Sequence, residues 1–127
     1  MLLTRIFLTI AAFMGAMAVG GGAFAAHALK ERLSERALEV FETGARYQMY
    51  HALALTLVAL WMHQSALVPG TLVIAGWAFI VGILLFSGSL YALSLSGIKV
   101  LGAIAPFGGA AFMLGWLCLA ITAWSFK

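Results

Sequence analysis

The chain has 127 residues, 65% of them hydrophobic and only 9% charged, with a net charge of +3 from seven Lys/Arg against four Asp/Glu. A soluble domain is nearer half apolar and a quarter charged, and a core of this size cannot hide so much apolar surface from water, so lipid is the natural solvent. Charge this sparse and local excludes a nucleic-acid footprint, and the single cysteine, Cys118, excludes an internal disulfide and a paired-cysteine metal site.

Nothing in the chain resembles a linker, so one transmembrane domain covering 1–127 is expected. The first span, about 3–26, has no acid and one base, Arg5, and is long enough as a helix to cross roughly 30 Å of hydrocarbon. A secretory signal peptide ending at Ala23-Phe24-Ala25 is the rival reading. Two features count against cleavage. The apolar run exceeds a signal core of roughly 7–15 residues, and small residues recur along it at Ala12, Ala16 and Gly20, then Gly22 and Ala26, a stripe that admits a second helix backbone.

The amphipathic segment of about 30–45 holds all four acids (Glu31, Glu35, Glu39, Glu42), and Lys30 to Arg46 hold four of the seven bases. Leu29, Leu33, Ala37, Val40, Phe41 and Gly44 share one side of a helical wheel, opposite the charges. Ser34 before Glu35 predicts an N-cap with an acid in the first turn. An amphipathic helix in the headgroup region is expected, with Glu42 pairing Arg46 four residues on and Gly44 bending or ending the helix. The second span follows, about 47–67, closed by the turn signal Val68-Pro69-Gly70. The third covers about 71–95 and the fourth about 100–125, the latter broken near its start by Pro106 and Gly108-Gly109. The fold class is therefore all-α: an integral membrane four-helix bundle with an amphipathic interfacial helix between spans one and two.

Four antiparallel spans gather His27, Arg46, Tyr47, Gln48, Tyr50, His51, Tyr91, Ser94 and Lys99 at one membrane face, with Ser87 and Ser89 deeper. The other face takes Arg5, His63, Gln64 and Lys127, with Trp61, Trp77 and Trp124; Trp116 lies further in. Five bases at the first face against two at the second place the first face in the cytoplasm and both termini outside, although Arg5 ahead of the first span argues the other way.

The segments Gly22-Ala23-Phe24-Ala25-Ala26-His27-Ala28-Leu29, Thr43-Gly44-Ala45-Arg46-Tyr47-Gln48-Met49-Tyr50-His51-Ala52-Leu53, Leu85-Phe86-Ser87-Gly88-Ser89-Leu90-Tyr91 and Pro106-Phe107-Gly108-Gly109 with Gly115-Trp116 stand together in this order. With them the chain resembles the small bacterial membrane proteins of domain-of-unknown-function 423, which include the animal transmembrane protein 256. Ala25 departs from the Gly usual in the first segment. The resemblance implies a multi-spanning protein of the cell inner membrane and supplies no activity, substrate or catalytic residue.

The ligand-binding candidates are His27, Arg46, Tyr47, Gln48, Tyr50, His51, Ser87 and Tyr91, because polar groups at membrane depth are costly unless partnered. His51 lies more than a turn inside the second span and is expected to point into the bundle, toward His27, Ser87 and Tyr91. The simpler reading makes these residues helix-to-helix hydrogen bonds, and Arg46 a snorkelling cation. A metal needs three or four ligands, and no third His, acid or Cys joins His27 and His51. No acid lies within the spans to orient a serine or histidine, so no catalytic residue and no cofactor are assigned. The expected role is structural or assembly-related rather than enzymatic, with membrane lipids, a second copy or another membrane protein as partners and no nucleic acid. The alternative is a binding or transport module in which the polar cluster captures a small anion, a lipid headgroup or a quinone.

Overall fold

The computed structural model describes residues 2–126. Met1 and Lys127, the latter assigned above to the second face, lie outside the described residues. All described secondary structure is helical. Helix α1 (Leu2–Phe24) passes into a π-helical turn over Ala25–Leu29. The turn closes with Arg32 and Leu33 N–H donating to the Leu29 carbonyl. Ser34 is the expected N-cap: its backbone is extended and its Oγ accepts from the Ala37 N–H at 3.1 Å.

From there α2 runs unbroken over Glu35–Gln64. The break expected at Gly44 is absent, and so is a separate helix lying flat in the headgroups. The charged segment forms the first turns of one rod, 30 residues and therefore about 45 Å long. Gly44 is helical because its missing side chain is used for packing. A Cβ there would stand 2.9 Å from the Tyr91 ring. The apolar stripe of the charged segment turns inward, where Phe41 joins Ala25 and Leu29 in a small buried cluster flanked by Leu33, Leu38 and Tyr91. The helix, expected to reach residue 67, ends at Gln64 with Ser65 as cap.

Pro69 caps α3 (Gly70–Gly82). A second π-helical turn, Ile83–Ser87, joins it to α4 (Gly88–Ser96). Gly97 then adopts φ +72°, the left-handed region open to glycine, and donates its N–H to the Leu93 carbonyl at 2.8 Å. A 3-10 helix over Lys99–Ala103 leads into α5 (Ala105–Trp124). Pro106 starts this helix rather than breaking it, since the first turn needs no backbone N–H from it. Gly108 and Gly109 lie within the helix; Gly108 is where the backbone of Phe86 approaches.

Helix α1 packs along α2, α2 against α3 and α4, and α5 against α3 and the second π-helical turn. The main core holds Phe7, Leu55, Val58, Leu72 and Phe79, none of them exposed. Phe13, Leu57, Leu84 and Met113 are among many large apolar residues left on the outside. Three helical stretches, Leu2–Leu29, Gly70–Ser96 and Lys99–Trp124, are long and apolar enough to cross a membrane. Helix α2 is not among them. Its polar run Tyr47-Gln48 and Tyr50-His51, with His63-Gln64 at the far end, lowers the average apolarity of its span-length portion.

Candidate functional site

Because α2 touches α1, α3 and α4, its polar residues can reach several helices at once. Three of its residues do so in successive turns. The Gly44 carbonyl accepts from Ser87 Oγ at 2.7 Å, a bond wholly out of contact with solvent at Ser87. One turn deeper, Gln48 is 3% exposed and joins three helices. Its Nε2 donates to the Met14 carbonyl of α1 at 2.8 Å, and its Oε1 accepts from the Tyr91 hydroxyl of α4 at 2.7 Å. The amide orientation follows from the chemistry, since a carbonyl can only accept and the Tyr91 hydroxyl is free to donate.

His51 makes the third tie. It is 5% exposed and points into the bundle. Its Nδ1 lies 2.7 Å from the Tyr47 carbonyl and its Nε2 lies 3.1 Å from Trp116 Nε1. A carbonyl can only accept and an indole N–H can only donate, so Nδ1 carries the hydrogen and Nε2 accepts from Trp116. Both ring nitrogens are thus satisfied in the neutral ring. Its face lies on Phe112, with ring centroids 3.5 Å apart and planes inclined by 6°. Phe79 and Tyr47 close the other sides, at 5.6 and 6.1 Å between centroids.

The other candidates divide. Tyr47 is partly exposed and rests on Phe86 at 4.8 Å, while Tyr50 is more exposed and neighbours it at 5.5 Å. Together with His51, Phe86, Phe112 and Trp116 they line an open cavity of about 430 Å³ between α2 and α5. His27 does not join: it is exposed in the first π-helical turn, and among the described residues its side chain makes no hydrogen bond. The expected contacts of His51 with His27, Ser87 and Tyr91 are therefore replaced by Trp116 and the Tyr47 carbonyl. The expected Glu42–Arg46 pair is also not made. The described ion pair is Arg36–Glu39 at 3.2 Å, and Arg46 Nη2 reaches only Thr43 Oγ1 at 3.5 Å. Ser89 bonds back to the Phe86 carbonyl of the second π-helical turn and Ser94 to the Tyr91 carbonyl of α4, as packing hydroxyls do. Trp116 is the residue sequence reasoning missed. The signal was its place deep in an apolar span, where an indole N–H needs a partner.

Three helical stretches fit to cross a membrane, packed with one whose buried Gln48 and His51 bond to neighbouring helices, make this a helical membrane protein. The comparisons agree. The chain belongs to the family described as "Protein of unknown function (DUF423)", which matches residues 21–109. It is 43% identical to the UPF0382 membrane protein YwdK of Bacillus subtilis over 119 residues, which cover 94% of this chain and 96% of that one. It is 42% identical to a UPF0382 membrane protein of Staphylococcus epidermidis over 126 residues, 96% of this chain and 98% of the relative. A UPF0382 membrane protein of Staphylococcus aureus is 44% identical over the same shares. No solved structure matches the chain.

Proposed function

We propose that the protein is a four-span scaffold of the cell inner membrane, with a structural or assembly role for a second copy or another membrane protein, and not an enzyme. The observation that carries this is the use of the polar cluster. Gly44, Gln48 and His51 each bind a different neighbouring element, and every buried side-chain nitrogen or oxygen among the described residues has a partner within the chain. Groups committed in this way hold helices together and leave little free to bind or turn over a substrate. The fourth span is α2. Its mid-span polar residues Gln48 and His51 face protein, so they impose no cost of exposure to hydrocarbon, while Leu53, Leu57 and Leu60 face outward. At about 45 Å it exceeds the hydrocarbon thickness, and its charged first turns reach the headgroups as an amphipathic segment. Lys30, Arg32, Arg36, Arg46 and Lys99, against Arg5 and Lys127 at the other end, favour the cytoplasm for that end, with both termini outside.

The test is a deletion strain. At least one membrane complex should change in size or abundance on native gels, and wild-type protein and Tyr91→Phe should both restore it. Unchanged complexes together with an altered solute distribution across the membrane would refute the scaffold. Of the binding readings, a ligand held by Gln48 or His51 finds those groups already engaged. A lipid headgroup is favoured by one observation, the unpaired charges of Glu42 and Arg46 over a groove.

A further inference from the structure

We propose that the groove between α1 and α2 is a binding site for an aminophospholipid, whose headgroup carries a phosphate and, beyond it, an amine. The proposal does not rest on the scaffold reading. The groove encloses about 390 Å³, with Ala18 and Gly22 of α1 and Ala45 and Met49 of α2 among its walls and Glu42 and Arg46 at its mouth.

The groove is open at Gly22, unlike the packed glycines of the main core. A Cβ on Gly76 would collide with Phe7, on Gly82 with Phe112, and on Gly115 with Phe79. A Cβ on Gly22 would meet nothing within 4 Å. An apolar trough beside a membrane helix is filled by what surrounds it, and its small-residue floor suits a flexible acyl chain.

The charges choose the headgroup. Glu42 and Arg46 are spaced four apart in the favourable order for an ion pair, yet they do not pair. Both line this groove, one turn apart, about 6 Å along the axis. Since α2 runs from its charged first turns toward its apolar end, Arg46 lies deeper and Glu42 nearer water. A phosphate next to the glycerol and an amine beyond it repeat that order: phosphate oxygens accept from the Arg46 guanidinium, and the ammonium donates to the Glu42 carboxylate. A headgroup whose outer part is an uncharged glycerol offers Glu42 no cation.

The test uses the full chain, purified and exchanged into micelles with equal amounts of phosphatidylethanolamine and phosphatidylglycerol, read by native mass spectrometry. Wild type should retain phosphatidylethanolamine over phosphatidylglycerol by about fivefold, the scale of one partly exposed ion pair. Gly22→Leu places its side chain in open space and favours the helix, so it should melt no lower than wild type while losing the adduct by about tenfold. Glu42→Gln should erase the preference between the two lipids, and Arg46→Gln should lose both. A Gly22→Leu protein that keeps the wild-type adduct would overturn the site. Equal retention of the two lipids by wild type would overturn the headgroup assignment. A lipid-free dimer that Gly22→Leu converts to monomer would show that a second copy occupies the groove instead.

Discussion

Replacing His51 with leucine isolates one bond between α2 and α5. In wild type, Nε2 of this ring accepts the Trp116 indole N–H at 3.1 Å, and the ring face lies on Phe112. Leucine keeps apolar bulk against Phe112 but offers no acceptor. The Tyr47 carbonyl loses only a second donor, because it retains its own helical hydrogen bond. The cost therefore falls on the Trp116 N–H. An unsatisfied donor away from water costs about 1–3 kcal/mol. Interhelical hydrogen bonds in membranes average nearer 0.6 kcal/mol, with a maximum of about 1.7. Trp116 is 47% exposed, toward lipid if α5 crosses the membrane, so it finds little water to replace the imidazole. His51→Leu should then destabilise by about 1–2 kcal/mol. His51→Gln supplies an amide oxygen to the indole and should lose only the ring stack, about 0.5–1 kcal/mol. The assay is reversible unfolding in mixed micelles with increasing denaturing detergent, run as a double-mutant cycle with Trp116→Phe. A coupling of about 0.6–1.7 kcal/mol between the two positions is expected. A His51→Leu protein as stable as wild type, or a coupling of zero, would refute the bond as a structural tie.

Other expectations follow from the same geometry. Tyr91→Phe should cost about 1 kcal/mol in the same unfolding assay, because it leaves Gln48 Oε1 without its donor while Gln48 keeps the α1 carbonyl. Gly108→Ala should cost at least about 1–3 kcal/mol, since its Cβ would lie 2.7 Å from the Phe86 Cα and backbone cannot swing aside, whereas Gly22→Ala should be neutral or slightly stabilising; thermal melts of the two variants compare them directly. A cysteine at Glu39 should resist an impermeant thiol reagent in intact cells and one appended after Lys127 should react; the reverse pattern would place the charged end of α2 outside.

The sequence announced the helices far better than their partners. Charge largely confined to one segment and a chain 65% hydrophobic pointed to the membrane, and Ser34 and Pro69 marked real helix ends. The inward aim of His51 was also legible, because an imidazole a turn inside a span cannot reach the surface. Its partner was not. A helical wheel assigns a face to a residue but says nothing about how the facing helix is rotated, so Trp116 could not be matched to it. Gly44 misled for a related reason. Glycine lowers helix propensity wherever it stands, but here the close approach of Tyr91 and the bond from Ser87 outweigh that. Average apolarity is low at α2 because it counts Gln48 and His51 as though lipid faced them, when both are buried against protein.

The packing of its neighbours explains why the polar residues collect on α2. Lipid gives helices no hydrophobic reason to associate, so each interface needs close packing, hydrogen bonds, or both. The α3–α5 interface has close packing: Gly82 receives Phe112 and Gly115 receives Phe79, with one hydroxyl pair, Thr71 and Thr122, at the far end. Its aromatic rings enter spaces that only glycine leaves, and that interlock fixes the register of the two helices. Helix α2 has fewer such sockets. Gly44 is its only glycine, and the residues it buries include Ala45, Ala52, Ala54 and Ala59, whose methyl groups give a smooth surface. A smooth surface slides. Gln48 and His51 supply what alanines cannot, directional bonds to α1, α4 and α5 that hold at one rotation and one depth. The polar stretch at the head of α2 is thus the fastening that a weakly interlocked central helix requires, and its composition follows from having to bind several neighbours at once.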